Sequence, residues 1–106
     1  MTLPLLNIPK LLQKHHLRPK KHLGQNFLID PHALERVMRV AQVESKDEVL
    51  EIGSGLGSLT RLLASQAEHV TAVEIDADMI PILKEVLLPF DNVTLIHGDI
   101  LQQNIA

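Results

Sequence analysis

The chain has 106 residues, 45% of them hydrophobic but only two aromatic, so we expect one small domain with an aliphatic core. The absence of cysteine excludes disulfides and thiolate metal sites, and no stretch approaches the ~20 apolar residues of a membrane span. Six histidines follow no metal-binding pattern, so we predict a cytoplasmic protein with neither a metal site nor a membrane segment.

Residues 1–22 are predicted to form a basic N-terminal arm, with the domain proper at residues 23–106. The arm contains five Lys or Arg residues and no acid, while the rest of the chain carries five basic residues against 13 acidic ones. The charges are therefore +5 and −8, which favours contact between the arm and a polyanion such as RNA. A solvated tail explains the charge equally well. Residues 11–17 predict one or two helical turns, which Pro19 ends.

The body alternates strands and helices after a leading helix. The leading helix is predicted from Pro31 to about Val43, because Asp30 is a good N-cap and proline is favoured at the first helical position. Right-handed crossovers between parallel strands predict an α/β, Rossmann-like sheet with strand order 3-2-1. The β-α-β-α-β elements are predicted at Val49–Ile52, Ser58–Ala67, Val70–Ile75, Ala77–Leu88 and Val93–His97.

Three alternate glycines, Gly53, Gly55 and Gly57, directly follow the first strand. Ligands of parallel sheets bind at the carboxyl ends of the strands, where Glu74 and Asp99 follow the second and third strands. Glu74 comes 21 residues after Gly53, close to the ~20 at which a carboxylate reaches a ribose diol, and Asp99 is placed to accept from an adenine amine. Each carboxylate alone is more often a helix cap, but together they predict an adenosine-containing ligand.

The glycine spacing distinguishes between adenosine ligands. Ser58 stands where the dinucleotide fingerprint requires its last glycine, and no Gly-Lys-Ser/Thr of a P-loop follows. Glu51, Glu74 and Asp99 would repel a pyrophosphate but suit a cation. The pattern resembles that of class I S-adenosylmethionine-dependent methyltransferases, whose cofactor carries a cationic sulfonium.

Four segments sharpen this resemblance. Residues 21–28 (KHLGQNFL), 51–57 (EIGSGLG), 73–76 (VEID) and 98–99 (GD) resemble, in order and spacing, the ribosomal RNA adenine N6-dimethyltransferases, and most of all the bacterial branch that acts on 16S RNA. The resemblance implies that Asn26 and Leu28 contact the methionine part of S-adenosylmethionine, Gly53 cradles it, Glu74 holds the ribose and Asp99 the adenine. The predicted cofactor-binding residues are Asn26, Leu28, Glu51, Gly53, Gly55, Gly57, Glu74 and Asp99, and the predicted RNA-binding residues are Arg18, Lys20 and Lys21.

The catalytic loop of that family, Asn-Leu-Pro-Tyr or Asn-Leu-Pro-Phe, does not occur in the sequence. Residues 88–90 (LPF) follow a leucine rather than an asparagine and are interpreted as a helix stop. We therefore expect an N-terminal, cofactor-binding fragment that contains no catalytic residue and transfers no methyl group by itself. The expected partner is the RNA of the small ribosomal subunit. A non-catalytic module for S-adenosylmethionine or RNA and a 23S rRNA methylase are the alternatives. The unpaired edge of the first strand further predicts homo-oligomers.

Overall fold

The computed structural model describes residues 3–17 and 30–103. The predictions for Arg18, Lys20, Lys21, Asn26 and Leu28 lie outside the described residues. None of the helices within the described ranges is long and apolar enough to cross a bilayer.

A parallel three-stranded sheet lies at the centre of the described residues. Its strands are β1 (Glu48–Ile52), β2 (His69–Glu74) and β3 (Val93–His97), and β2 lies in the middle. Val49 is aligned with Val70, and Val70 with Val93. The order β1-β2-β3 is the predicted order 3-2-1 seen from the other edge, so the predicted β-α-β-α-β topology is confirmed.

In the described part of the chain, four α-helices accompany the sheet, namely α1 (Ile8–Lys14), α2 (Pro31–Ala41), α3 (Ser58–Gln66) and α4 (Ile80–Leu87). Helix α2 begins as predicted, because the Asp30 side chain accepts from the backbone N–H of His32 at 2.9 Å. It ends two residues before Val43, because Gln42 adopts a left-handed conformation with φ +51°. The helix predicted from Ala77 starts instead with a 3₁₀ turn, Ala77–Met79, which leads into α4.

Helix α1 packs onto the body of the domain. Its Ile8 and Leu12 are buried in a cluster that includes Ile82 and Leu83 of α4. At the surface, the Lys14 ammonium lies 2.9 Å from the Glu85 carboxylate, which also contacts His15. Residues 3–17 therefore contribute to the core, while the predicted arm boundary at residue 22 lies outside the described residues and stays a prediction.

The two faces of β1 have different surroundings. Val49 packs against α3 in a second apolar cluster, and the Glu51 side chain also points towards α3, where it contacts Thr60. Because side chains alternate along a strand, Leu50 and Ile52 point to the opposite face, where they are 40% and 61% exposed. Among the described residues, the edge strand β1 therefore exposes two apolar side chains on the face opposite α3, whereas Val73 of β2, on the same face, is only 2% exposed.

Candidate functional site

The loop between β1 and α3 depends on glycine for its shape. Gly53, Gly55 and Gly57 have φ angles of +78°, +59° and +84°, a region that other residues adopt only with strain. The Gly53 N–H donates to the Val73 carbonyl at 2.8 Å, which attaches the start of the loop to β2. Leu56, which is only 1% exposed, anchors the loop in the core. The alternate glycines therefore let the backbone turn around one buried leucine.

A side chain would meet different surroundings at Gly53 and at Gly57. A Cβ at Gly57 would lie 3.1 Å from Val86 Cγ1 and 3.2 Å from Leu83 Cδ2, so glycine is needed there for the contact with α4. A Cβ at Gly53 would have no atom within 4 Å. Gly53 therefore borders open space at the end of β1, where a ligand can approach the backbone.

Glu74 connects the end of β2 to this loop. Its side chain is buried, with 6% exposed, and its two oxygens have different partners. Oε1 accepts from the Gly55 N–H at 2.6 Å, and Oε2 accepts from the Asp76 N–H at 2.9 Å. Because each carboxylate oxygen has two lone pairs, each can still accept a further hydrogen bond, for example from one of two adjacent hydroxyls.

Asp99 lies at the same edge of the sheet, after β3. The strand ends are joined there, because the Gly98 N–H donates to the Glu74 carbonyl at 2.9 Å. The Asp99 Oδ1 accepts from the Leu101 N–H at 3.0 Å and so caps the 3₁₀ turn Ile100–Gln102. Asp99 therefore has the capping role common for a carboxylate after a strand, at a position where it can also meet a ligand.

Glu51, near the end of β1, is buried against α3. It is 9% exposed and accepts a hydrogen bond from the hydroxyl of Thr60, which is fully buried. Burial raises the pKa of Glu51, and the negative charge of Glu74 adds to the rise, while the hydroxyls of Thr60 and Ser54 lower it. The Ser54 oxygen is buried near this carboxyl, but it has no hydrogen-bond partner among the described residues.

Sequence reasoning missed both hydroxyl residues. Thr60 lies on the same side of its helix as the buried Leu63 and Ala64, where a polar side chain is a signal of a buried partner. Ser54 stands between two glycines and gives no such signal. The structure thus groups Gly53, Glu74 and Asp99 at the sheet edge and places Glu51 behind the loop.

Comparison with known proteins gives a consistent result over most of the chain. The family model for ribosomal RNA adenine dimethylase matches residues 16–106. The ribosomal RNA small subunit methyltransferase A of Pediococcus pentosaceus is 45% identical over 95 residues, which are 90% of this chain and 32% of that protein. The protein of the same name from Bacillus pumilus is 48% identical over 97 residues, 92% of this chain and 33% of that protein. The chain spans about a third of the length of these curated relatives.

Solved structures agree with the sequence relatives. A dimethyladenosine transferase from Plasmodium falciparum superposes with a TM-score of 0.68 at 33% identity, over 73% of this chain and 29% of that one. The 23S rRNA methyltransferase ErmE superposes with a TM-score of 0.69 at 35% identity, over 76% of this chain and 33% of that one. The fold is the N-terminal part of the class I methyltransferase fold predicted from the sequence, and the chain belongs to the ribosomal RNA adenine dimethylase family.

Proposed function

We propose that this chain is the S-adenosylmethionine-binding part of an enzyme that dimethylates N6 of adenosines in the 16S RNA of the small ribosomal subunit, in the cytoplasm. The observation that carries the proposal is the identity of 45% and 48% to two proteins named for small-subunit RNA methylation. A further neighbour, a coclaurine N-methyltransferase, is described as bound to S-adenosylhomocysteine, the product form of this cofactor, and has a TM-score of 0.60 at 27% identity.

The residues at the sheet edge fit such a cofactor. The open space beside Gly53 admits a ligand to the backbone, and Glu74 retains lone pairs for the two ribose hydroxyls. Asp99 would accept from the adenine amine, and the surrounding carboxylates suit a positively charged ligand. Asn26 and Leu28 would contact the methionine part, as the family resemblance implies. When bound, S-adenosylmethionine supplies a methyl group made electrophilic by its positive sulfur.

The substrate side of the proposal concerns the RNA. Enzymes that modify a base take it out of the stack, and an adenine amine must then be oriented towards the cofactor. The sequence contains no Asn-Leu-Pro-Tyr or Asn-Leu-Pro-Phe loop for this step, so we expect the 106-residue chain alone to transfer no methyl group. We propose that Arg18, Lys20 and Lys21 contact the RNA backbone, since Lys and Arg neutralise phosphates.

Calorimetric titration with S-adenosylhomocysteine tests the cofactor site. We expect binding by the wild type and binding at least about tenfold weaker in Glu74→Ala, because a charged hydrogen-bonding group is lost from a buried position. Glu48→Ala is the matched control, since Glu48 is an exposed acid at the opposite end of β1. Equal affinities of Glu74→Ala and the wild type would contradict the assignment of Glu74 to the ribose.

A second experiment separates the RNA alternatives. We expect a 3′-terminal fragment of 16S RNA to bind more tightly than a 23S RNA fragment of equal length in a fluorescence anisotropy titration at fixed salt. Lys20→Glu/Lys21→Glu should weaken both complexes, because phosphate contacts are independent of sequence. Preference for the 23S fragment would support a 23S rRNA methylase. Adenine dimethylation by the chain alone, measured with labelled S-adenosylmethionine, would contradict the expectation that it is inactive.

A further inference from the structure

We propose that Glu51 is a positioning residue, which holds the 53–57 loop in its ligand-binding shape by fixing α3 to β1 through Thr60, and does not itself touch the ligand. The inference rests on the proposed function only for the identity of the ligand. It concerns a contact behind the loop, at a position where the sequence pattern predicts a cofactor contact.

The location of the Glu51–Thr60 pair supports this role. Glu51 lies two residues before Gly53, and Thr60 lies three residues after Gly57 in the first turn of α3. Their hydrogen bond therefore joins the two ends of the loop. The three loop glycines lack a Cβ, so the loop backbone has more accessible conformations than other sequences, and a fixed contact between its two ends restricts them.

The burial of the pair makes the contact costly to lose. Thr60 is completely buried and Glu51 is 9% exposed, so water cannot replace either partner without rearrangement. A buried polar group without a partner loses its hydration without compensation. The Ser54 oxygen, buried beside the same carboxyl, has no partner among the described residues.

Glu74, at the end of β2, contacts the same loop in a different way. It donates no hydrogen bond, accepts from the backbone of Gly55 and Asp76, and lies at the ligand edge. Glu51 faces a side chain of α3 instead. Glu74 therefore holds the loop backbone directly and also lies at the proposed ligand edge, whereas Glu51 acts on the loop through the side chain of Thr60.

The test compares variants of both partners by titration with S-adenosylhomocysteine and by hydrogen exchange of the Gly55 and Gly57 amides without ligand. We expect Glu51→Ala and Thr60→Val to weaken binding roughly tenfold and to accelerate the exchange, because each leaves a buried group unpaired. Glu51→Gln, which keeps an acceptor for Thr60, should restore most of the loss, as should Thr60→Ser. Thr71→Val, on β2 and facing away from the loop, is the control that should change neither.

The outcomes distinguish this inference from the proposed function. If Glu51→Gln loses as much affinity as Glu51→Ala, the charge itself meets the ligand and the inference is wrong. If the wild type does not bind S-adenosylhomocysteine, the proposed function fails and the exchange rates alone decide the role of Glu51. Faster exchange in Thr60→Val, with recovery in Thr60→Ser, then supports the positioning role, and unchanged exchange overturns it.

Discussion

The substitutions Gly57→Ala and Gly53→Ala introduce similar backbone strain, but the new methyl group has different neighbours at the two positions. The two φ angles, +84° and +78°, are nearly equal. A left-handed conformation costs a residue with a Cβ roughly 1–2 kcal/mol, so this part of the penalty is shared by the two variants. The difference between them then measures what the new methyl group meets.

At Gly57 the new Cβ meets α4. The distances of 3.1 Å to Val86 Cγ1 and 3.2 Å to Leu83 Cδ2 are shorter than ordinary carbon–carbon contacts, so these two buried side chains must move by a few tenths of an ångström to admit the methyl group. Overpacking of this kind costs about 1–3 kcal/mol, which brings the expected total for Gly57→Ala to about 2–5 kcal/mol. Since a domain is stable by only about 5–15 kcal/mol, such a loss is readily measured. For Gly53→Ala we expect the strain alone.

Urea denaturation of the two variants and the wild type provides the measurement. We expect the midpoint to fall clearly further for Gly57→Ala than for Gly53→Ala. In a titration with S-adenosylhomocysteine, Gly53→Ala should lose affinity despite its higher stability, because its Cβ enters the space proposed for the ligand. Equal midpoints would refute the packing argument for Gly57, and unchanged affinity of Gly53→Ala would refute the ligand approach at Gly53.

Other substitutions test the packing of α1, the protonation of Glu51 and self-association through β1. Leu12→Ala should lower the free energy of unfolding by about 2–5 kcal/mol in urea denaturation, because Leu12 is buried. The control Leu5→Ala, at a position 74% exposed, should lower it by about 0.5 kcal/mol or less. Equal losses in the two variants would show that α1 does not pack on the domain. Because burial raises the pKa of Glu51 above its ordinary 4.5, the folded state holds this proton more tightly. The contribution of Glu51 to the free energy of unfolding is full below the pKa of the unfolded state and is lost as the pH rises through the pKa of the folded state. In a series of urea midpoints measured at different pH values, Glu51→Gln should therefore show a smaller decline than the wild type. Ile52→Lys should reduce self-association in sedimentation velocity, because Ile52 is an exposed apolar side chain on the edge strand. A wild type that is entirely monomeric would contradict association through β1.

The fold could be predicted from the sequence because its signals are local. The run from Val49 to Ile52 is short and apolar, and the glycines that follow mark the end of a strand. Asp30 and Pro31 mark the start of α2 within one turn of chain. Such signals depend on neighbouring residues, which the sequence displays directly. The parallel order then follows from the handedness of crossovers, which constrains the topology without any knowledge of side-chain contacts.

Contacts between distant residues could not be predicted in the same way. The docking of Leu12 on α4 depends on an amphipathic helix finding a partner about seventy positions later, and the local charge of that segment suggested only a solvated or RNA-binding arm. The direction of the Glu51 side chain likewise depends on Thr60 and on the packing of α3. The pattern of acids predicted that Glu51, Glu74 and Asp99 share one site, but it could not show that the side chain of Glu51 lies against Thr60 behind the loop.

The difference between Glu51 and Glu74 has a measurable consequence at Glu74. Both of its oxygens already accept a backbone N–H, so ligand hydroxyls add hydrogen bonds without breaking those that hold the loop. An amide at this position has one acceptor oxygen and must direct its NH₂ group at a backbone N–H, so Glu74→Gln disturbs the loop as well as the ligand. We therefore expect Glu74→Gln to bind S-adenosylhomocysteine nearly as weakly as Glu74→Ala, whereas Glu51→Gln binds much more tightly than Glu51→Ala. If both glutamines behaved alike in the same titration, the division of roles between the acids would be wrong.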